Sequence, residues 1–574
     1  MKISIFLLSS IIILHPRVNS LNYLNASIDI NTNHIFKSST EFPNAADIPA
    51  TGKTVTPEMY GAIGDGTEHK LSEKYKTLAE AQKVYPGVVD LNITIDGAAF
   101  QKAVDMASLD NGEVLAEKNY VTNSPIVMKD NVIVDGNNKG SLKNDRSRGK
   151  MLAWAFLFGD HAPYGFNKEQ NNGAGYTFYD VKESMKVGQN YLTLSNPADA
   201  SSFKKDQIVM VVSSFKRNMN ISKVKLPFHI TMCKITQIEG SKLSFEYPFD
   251  ENVDSVQISA NGNYDNHTGI NFGGVQNVTL RNMTIDATQI SGSEYAYKCH
   301  IDNIKLIGGV RLVGMNAMAY STFTNITGTF SWRGIEIKTG SHNLLVKNIH
   351  GTYQPIEGYP QPVDAISIGQ YNRSVTVDSF DFNFGNSSPK ISTINFRSRK
   401  VVISNGTITC PNLTNPFVKF YNEHYIDNPS FGCYGNTLKN VRFTAGENMN
   451  TLFEMGDGAG INKDKPKDNW VTQKKMAHRA KPVDKDDDKD MSEIFDAVKT
   501  ADVPPQANII ENCIFHGGGL HSKIKLNSGK KNIIRNCDFQ NASIKVSNNF
   551  ESENTLQNNI LKEVSPGRMN RQKQ

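Results

Sequence analysis

The chain has 574 residues, of which 39% are hydrophobic and 21% charged, and a formal net charge of +5. This composition excludes a disordered chain, and so small an excess of base with no compact Lys/Arg tract excludes an argument for nucleic acid. The six cysteines (Cys233, Cys299, Cys410, Cys433, Cys513 and Cys537) include no CxxC and no Cys/His pair at zinc spacing, so no structural metal is expected.

Lys2, the apolar run from Ile3 to Leu14 and the small residues Val18 and Ser20 read as an export signal over 1–20. The run is short for a membrane span, which needs about 20 residues. No other stretch is apolar enough to cross a bilayer. Export places the chain outside the cell, or in a bacterium in the periplasm or on the surface, and permits disulfides. Sequons at Asn25, Asn92, Asn277, Asn282, Asn325, Asn405 and Asn412 are glycan acceptors on a eukaryotic route. They also fit a fold that uses Asn and Thr in its turns and strands.

Residues 21–54 form a polar leader. Turn residues then crowd VTPEMYGAIGDG (55–66), and a helix is expected near Asp96–Ala107, with Phe100, Ala103, Val104 and Ala107 on one apolar stripe. Short strands follow in EVLAEKNYVT, SPIVM and NVIVDG. From residue 269 the pattern is periodic: INF (270–272), VRLV (310–313), IEIK (335–338), ISIG (366–369), INFR (394–397), VKFY (418–421) and TLFEM (451–455) alternate with a second type of run, such as NVTLRNMTID and KVVISNGTI. Such repetition marks a solenoid whose coils bury their apolar faces only by stacking. The expected body is 146–459. A Lys- and Asp-rich insertion covers 460–505, and coils resume in 506–574. There NIIENCIF and NIIRNCDF place Cys513 and Cys537 at equivalent positions, read as stacked thiols.

The stretches YGAIGDG, DGAAFQKAVDMA, GEVLAEKNYVT and NVIVDG resemble the N-terminal cap and first coils (55–145) of the pectate-lyase-like superfamily, which holds polygalacturonase, rhamnogalacturonase, epimerase and phage tailspike relatives. The resemblance implies an all-β, right-handed parallel β-helix with an N-terminal capping helix. It also implies work on a polysaccharide. The polygalacturonase set (N-T-D, D-D, G-H-G, R-I-K) is absent in order, with partial echoes at His350-Gly351 and His516-Gly517, and the epimerase D-P-H is absent. No catalytic residue is therefore carried over, and the fold alone does not choose a reaction.

Strand parity supplies candidates instead. Aligning the strands on their apolar pairs gives two outward columns: Arg311, Glu336, Ser367, Asn395, Lys419, and Val313, Lys338, Gly369, Arg397, Tyr421. So many cations suit a carboxylated or sulfated sugar. A hydrolase needs two carboxyl groups. Glu336 is one and Asp364 the best second, although its parity matches the inward Ile366 and it reaches the outer face only if the turn bends. Glu357, Glu423 and Glu454 are weaker alternatives. A lyase would use Lys338, Arg397, Tyr421 and His350, with a calcium ion admitted as charge neutraliser. Trp332, Tyr353 and Tyr359 are candidate sugar platforms, Trp332 being equally suited to the core. Hydrolysis ranks slightly ahead of elimination, and a non-catalytic carbohydrate-binding or adhesion solenoid is the third reading. The expected partner is a polysaccharide, with no nucleic acid and no membrane span.

Overall fold

The computed structural model describes residues 47–144, 154–158, 178–213, 230–253, 256–259, 275–338, 340–356, 361–369, 372–421, 433–446, 449, 451–456, 505–517, 523–526, 529–539, 543–546 and 554–560. The export signal, most of the leader, the 270–272 strand and nearly all of the charged insertion lie outside them.

Three parallel ladders run through the chain. In one, residues 345–347, 376–378, 402–404, 437–439, 509–511, 533–535 and 555–557 stack in order. A second stacks 349–352, 380–383, 406–409, 441–444 and 514–516. The third stacks 335–337, 366–368, 394–396, 418–420, 453–455, 524–526 and 544–546. Each coil contributes one strand to each ladder, which makes the fold a parallel β-helix. The apolar pairs of the sequence sit in register inside it: Ile335, Ile366, Ile394, Val418 and Phe453 form one buried column.

A helix spans Ile95–Ser108, with the Thr94 hydroxyl accepting from Gly97 N. Phe100, Ala103, Val104 and Ala107 are buried, and the Phe100 ring meets Tyr120 and Phe156 edge-on at 5.2 and 6.0 Å. All six cysteines are buried thiols, with Cys513 and Cys537 one coil apart.

Corner asparagines explain part of the sequon count. Asn282, Asn325 and Asn405 adopt φ of 56°, 54° and 56°. Among side chains with a Cβ, Asn tolerates this left-handed geometry best. Their amides bond from coil to coil: Asn303 Nδ2 donates to Asn282 Oδ1 at 2.8 Å, Asn348 Nδ2 to Asn325 Oδ1 at 2.6 Å and Asn440 Nδ2 to Asn405 Oδ1 at 3.0 Å. A second ladder runs inside the solenoid, where the buried Asn436, Asn508 and Asn532 and the half-buried Asn554 pass Nδ2–H···Oδ1 bonds at 2.8–2.9 Å. Asn508→Ala leaves buried donors and acceptors of two coils unmade, so it should destabilise by about 1–3 kcal/mol, read as a lower urea midpoint at unchanged slope.

One correction concerns the body. The described residues within 178–259, a stretch read as solenoid, instead build a six-stranded antiparallel sheet in the order Phe178–Asp180, Val256–Ser259, Ile208–Ser213, Ile230–Glu239, Lys242–Phe245, Tyr191–Thr193. Its hairpin turns at Gly240, φ 58°. Both faces of its central strands are buried. Val209, Val211 and Ile235 fill its own core, while Met210, Ile230 and Met232 pack on Tyr297, Ala317 and Ala319 of the solenoid. A strand buried on two faces shows no alternation, so in sequence it resembles a coil strand.

Ion pairs complete this seam. The register stacks His342, Arg373 and Arg399 on successive coils. Arg373, wholly buried, donates to both Asp250 carboxylate oxygens (3.1 and 3.2 Å), to Ile230 O (2.7 Å) and to Thr231 Oγ1 (2.8 Å). Arg399 grips Glu251 with two bonds of 2.8 and 2.6 Å, and His342 Nε2 accepts from Met232 N at 2.9 Å.

Candidate functional site

The outer face of the third ladder carries the charges that parity assigned to it. Glu336 stacks on Ser367, Ser367 on Asn395 and Asn395 on Lys419, and the column continues to Glu454 and Lys525. Glu336 is 3% exposed and is surrounded by cations. Arg311 Nε binds Oε2, while Arg333 Nη1 and Lys338 Nζ both lie 2.8 Å from Oε1. Burial opposes its ionisation, but Arg311, Arg333 and Lys338 outweigh burial and hold its pKa at about 2.

Trp332 is half-buried and works as a platform for cations. The Arg311 and Arg333 guanidinium groups lie 4.4 and 4.8 Å from its ring, and Lys338 Nζ lies 5.7 Å away. Both arginines are also held by neutral partners. Gln289, with its amide oxygen toward them, accepts from Arg311 Nη1 at 2.8 Å and from Trp154 Nε1 at 3.0 Å. Ser367 Oγ accepts from Arg333 Nη1 and Arg397 Nη2, each at 2.8 Å. Lys338, with 36% of its side chain exposed, is the most open group of the cluster.

Asp364 is the case parity left conditional. The amides of Ala365 and Ile366 both donate to Thr393 O, so the regular alternation is broken beside Asp364. Its carboxyl accepts from Asn395 Nδ2 at 3.1 Å and lies 3.7 Å from Arg333 Nη1, yet it is fully buried. Burial, only partly offset by Arg333, raises its pKa to about 6. Because Arg333 Nη1 is also 2.8 Å from Glu336 Oε1, those two carboxyl oxygens are at most about 6.5 Å apart. A calcium ion does not fit these residues, since cations already cover both oxygens of Glu336 and Asp364 points to Asn395 and Arg333. Among the described residues no group of three His, Cys, Asp or Glu could hold a metal ion.

Other candidates separate from the cluster. His350 is exposed on the second ladder, between Thr327 and Asp381, with its Nε2 2.8 Å from Asn348 Oδ1. It lies past the corner at Asn348, which turns the chain to a different face. Val313 is buried in the core instead of facing out, and Tyr353 packs on Phe330 and Phe384. Tyr421 is buried, with Arg397 6.0 Å from its ring. Lys419 pairs with Glu454 at 3.4 Å, further along the same face. Glu357, Tyr359 and Glu423 lie outside the described residues. Sequence reading missed Arg333 because two residues before Ile335 its parity is inward, and Trp332-Arg333-Gly334 looks like a turn. It missed Gln289 because that strand carries no apolar pair like those of its neighbours.

No family model matches the chain, and no curated protein matches it. Solved parallel β-helix structures similar to it include the tailspike of Pseudomonas phage phi297, at 15% identity and TM-score 0.45, covering 87% of this chain and 76% of that one. The Streptococcus pneumoniae surface adhesin PfbA is similar at 9% identity and TM-score 0.42, covering 89% and 98%. The A-module of the Azotobacter vinelandii mannuronan C-5 epimerase is similar at 9% identity and TM-score 0.35, covering 88% and 99%. Among the described residues no helix is long and apolar enough to cross a membrane.

Proposed function

We propose that this chain acts on an acidic polysaccharide laid across the outer face of the third ladder, with β-elimination at a uronate the reaction its accessible groups suit. The observation that carries this reading is the gathering of Arg311, Arg333 and Lys338 around one carboxylate beside Trp332, with Arg397 and Lys419 along the same face. Cations neutralise a uronate carboxylate, which makes the adjacent C–H more acidic. Lys338 is the candidate base. Burial lowers its pKa, which eases access to the neutral amine. The proton beside the carboxylate would pass to the neutral Lys338 amine, the C–H electrons would form the double bond of an unsaturated uronate, and the glycosidic C–O bond would break, its oxygen taking a proton from water.

Hydrolysis is the second reading, favoured by one observation. Glu336 and Asp364 have carboxyl oxygens no more than about 6.5 Å apart, close enough for a two-carboxylate mechanism, and their pKa values are pushed apart. Their burial favours the first reading. Purified protein on acidic and neutral polysaccharides, followed for new reducing ends and for ultraviolet absorbance together, separates the two. Reducing ends with absorbance establish elimination, and reducing ends alone establish hydrolysis. Silence on a broad panel with retained binding leaves a carbohydrate-binding solenoid.

The cluster also predicts a pH dependence. Asp364 loses its negative charge as pH falls through about 6, so the cluster becomes more positive. Affinity for an acidic oligosaccharide should rise about three- to tenfold between pH 7.5 and 5. Calorimetric titration at each pH checks this, and Asp364→Asn should flatten the profile.

A further inference from the structure

We propose that Glu336 is an internal counter-anion whose carboxylate occupies the place that an acidic group of the glycan takes between Arg311, Arg333 and Lys338. Binding is then an exchange of one anion for another, and Glu336 sets the affinity. This rests on the acidic-glycan reading of the same face.

Three features carry the inference. Cations lie within ion-pair distance of both carboxylate oxygens, so Glu336 faces positive groups and not a bound sugar. The arginines are positioned without it: Arg311 by Gln289 and the Trp332 ring, Arg333 by Ser367 and the same ring. Removing the carboxylate should therefore leave a preformed pocket of like charge. Finally, the next residues of the column, Ser367 and Asn395, are neutral, so among the described residues the ladder supplies no other anion at this level than the buried Asp364. Gathered cations away from water need an anion close by. In the empty protein Glu336 is that anion, and a carboxylate or sulfate on a sugar carries the same charge.

The test uses the full chain as wild type, Glu336→Gln and, as control, Glu511→Gln, which removes the partner of Arg535 in the first ladder. Thermal unfolding is followed in increasing sodium sulfate or sodium acetate, at ionic strength held constant with sodium chloride. Glu336→Gln should melt several degrees below wild type without added anion and recover with one of the two salts by mass action. The salt that acts at lower concentration identifies sulfate or carboxylate as the preferred group. Wild type and Glu511→Gln should not respond. Oligogalacturonate should bind Glu336→Gln at least about tenfold more tightly than wild type. A folded Glu336→Gln that ignores both anions and binds oligogalacturonate no better overturns the inference. If that variant does not fold, Glu336→Asp, which withdraws the carboxylate by one methylene, must show a graded anion response, and its absence overturns the inference equally. The parent reading fails separately, if wild type binds no acidic glycan.

Discussion

Arg373→Met should lower the stability of the folded chain by about 2–3 kcal/mol, the cost of removing charged hydrogen bonds whose donor is wholly buried and whose acceptor Asp250 keeps 30% of its side chain exposed. The variant retains most of the volume of the side chain but removes the guanidinium bonds to Asp250, Ile230 O and Thr231 Oγ1, leaving Asp250 with Ser374 Oγ at 3.3 Å. Urea unfolding followed by fluorescence measures the loss, and Arg373→Met combined with Asp250→Leu should recover part of it. The pH dependence has a definite sign. Burial disfavours the charged Asp250, but Arg373 outweighs burial and holds the carboxyl below its ordinary range. The stabilisation is complete above the ordinary carboxylate pKa and fades as pH falls below about 4. The deficit of the variant should therefore be full at pH 7 and shrink in acid. A deficit under about 1 kcal/mol at pH 7, as for an exposed pair, would show that the apolar packing of Met210, Ile230 and Met232 holds the inserted sheet alone.

Arg397→Ala should weaken binding of an acidic glycan by about 10- to 100-fold, the effect of one hydrogen bond to a charged group, and Lys338→Ala, which removes the proposed base, should lower turnover by about 100-fold or more. The two residues lie two coils apart, roughly 10 Å at the spacing of strands, so their effects should add in free energy. Binding of neutral glycans should be unaffected, and the salt dependence of acidic-glycan binding should become shallower. Arg397 also donates to Ser367, so its variant is paired with a melting curve. Equal losses on acidic and neutral chains would remove the electrostatic basis of the proposal.

Much of this site could be read from strand parity alone. Glu336, Ser367, Asn395 and Lys419 follow one another in the ladder as the apolar pairs implied. Parity failed where the backbone stops alternating. Arg333 and Asp364 are ladder neighbours on the inward phase, yet both side chains reach Glu336's surroundings, Asp364 from the point where two amides share Thr393 O. Such a break leaves no composition signal. His350 lies on a different face for a related reason, because the turn at Asn348 changes the face without interrupting the run NLLVKNIHG. The inserted sheet was hidden by its success in burying both faces, although the two-residue Gly240-Ser241 turn is a hairpin signal.

That insertion also bears on the order in which the molecule can assemble. A solenoid ordinarily adds each coil to the one before it, at little expense in chain entropy. Here the coil containing Trp154–Phe158 is followed in space by the strand Gln289–Tyr297, and Asp135 meets Arg281 across 146 positions of chain. Closing such a loop from an unstructured chain is slow as well as entropically unfavourable. The antiparallel sheet shortens the detour, because its outermost register joins Phe178 directly to Ser259. Once it has folded around its own core, the two ends of the excursion stand side by side, and the first coils can find the rest of the solenoid almost as near neighbours.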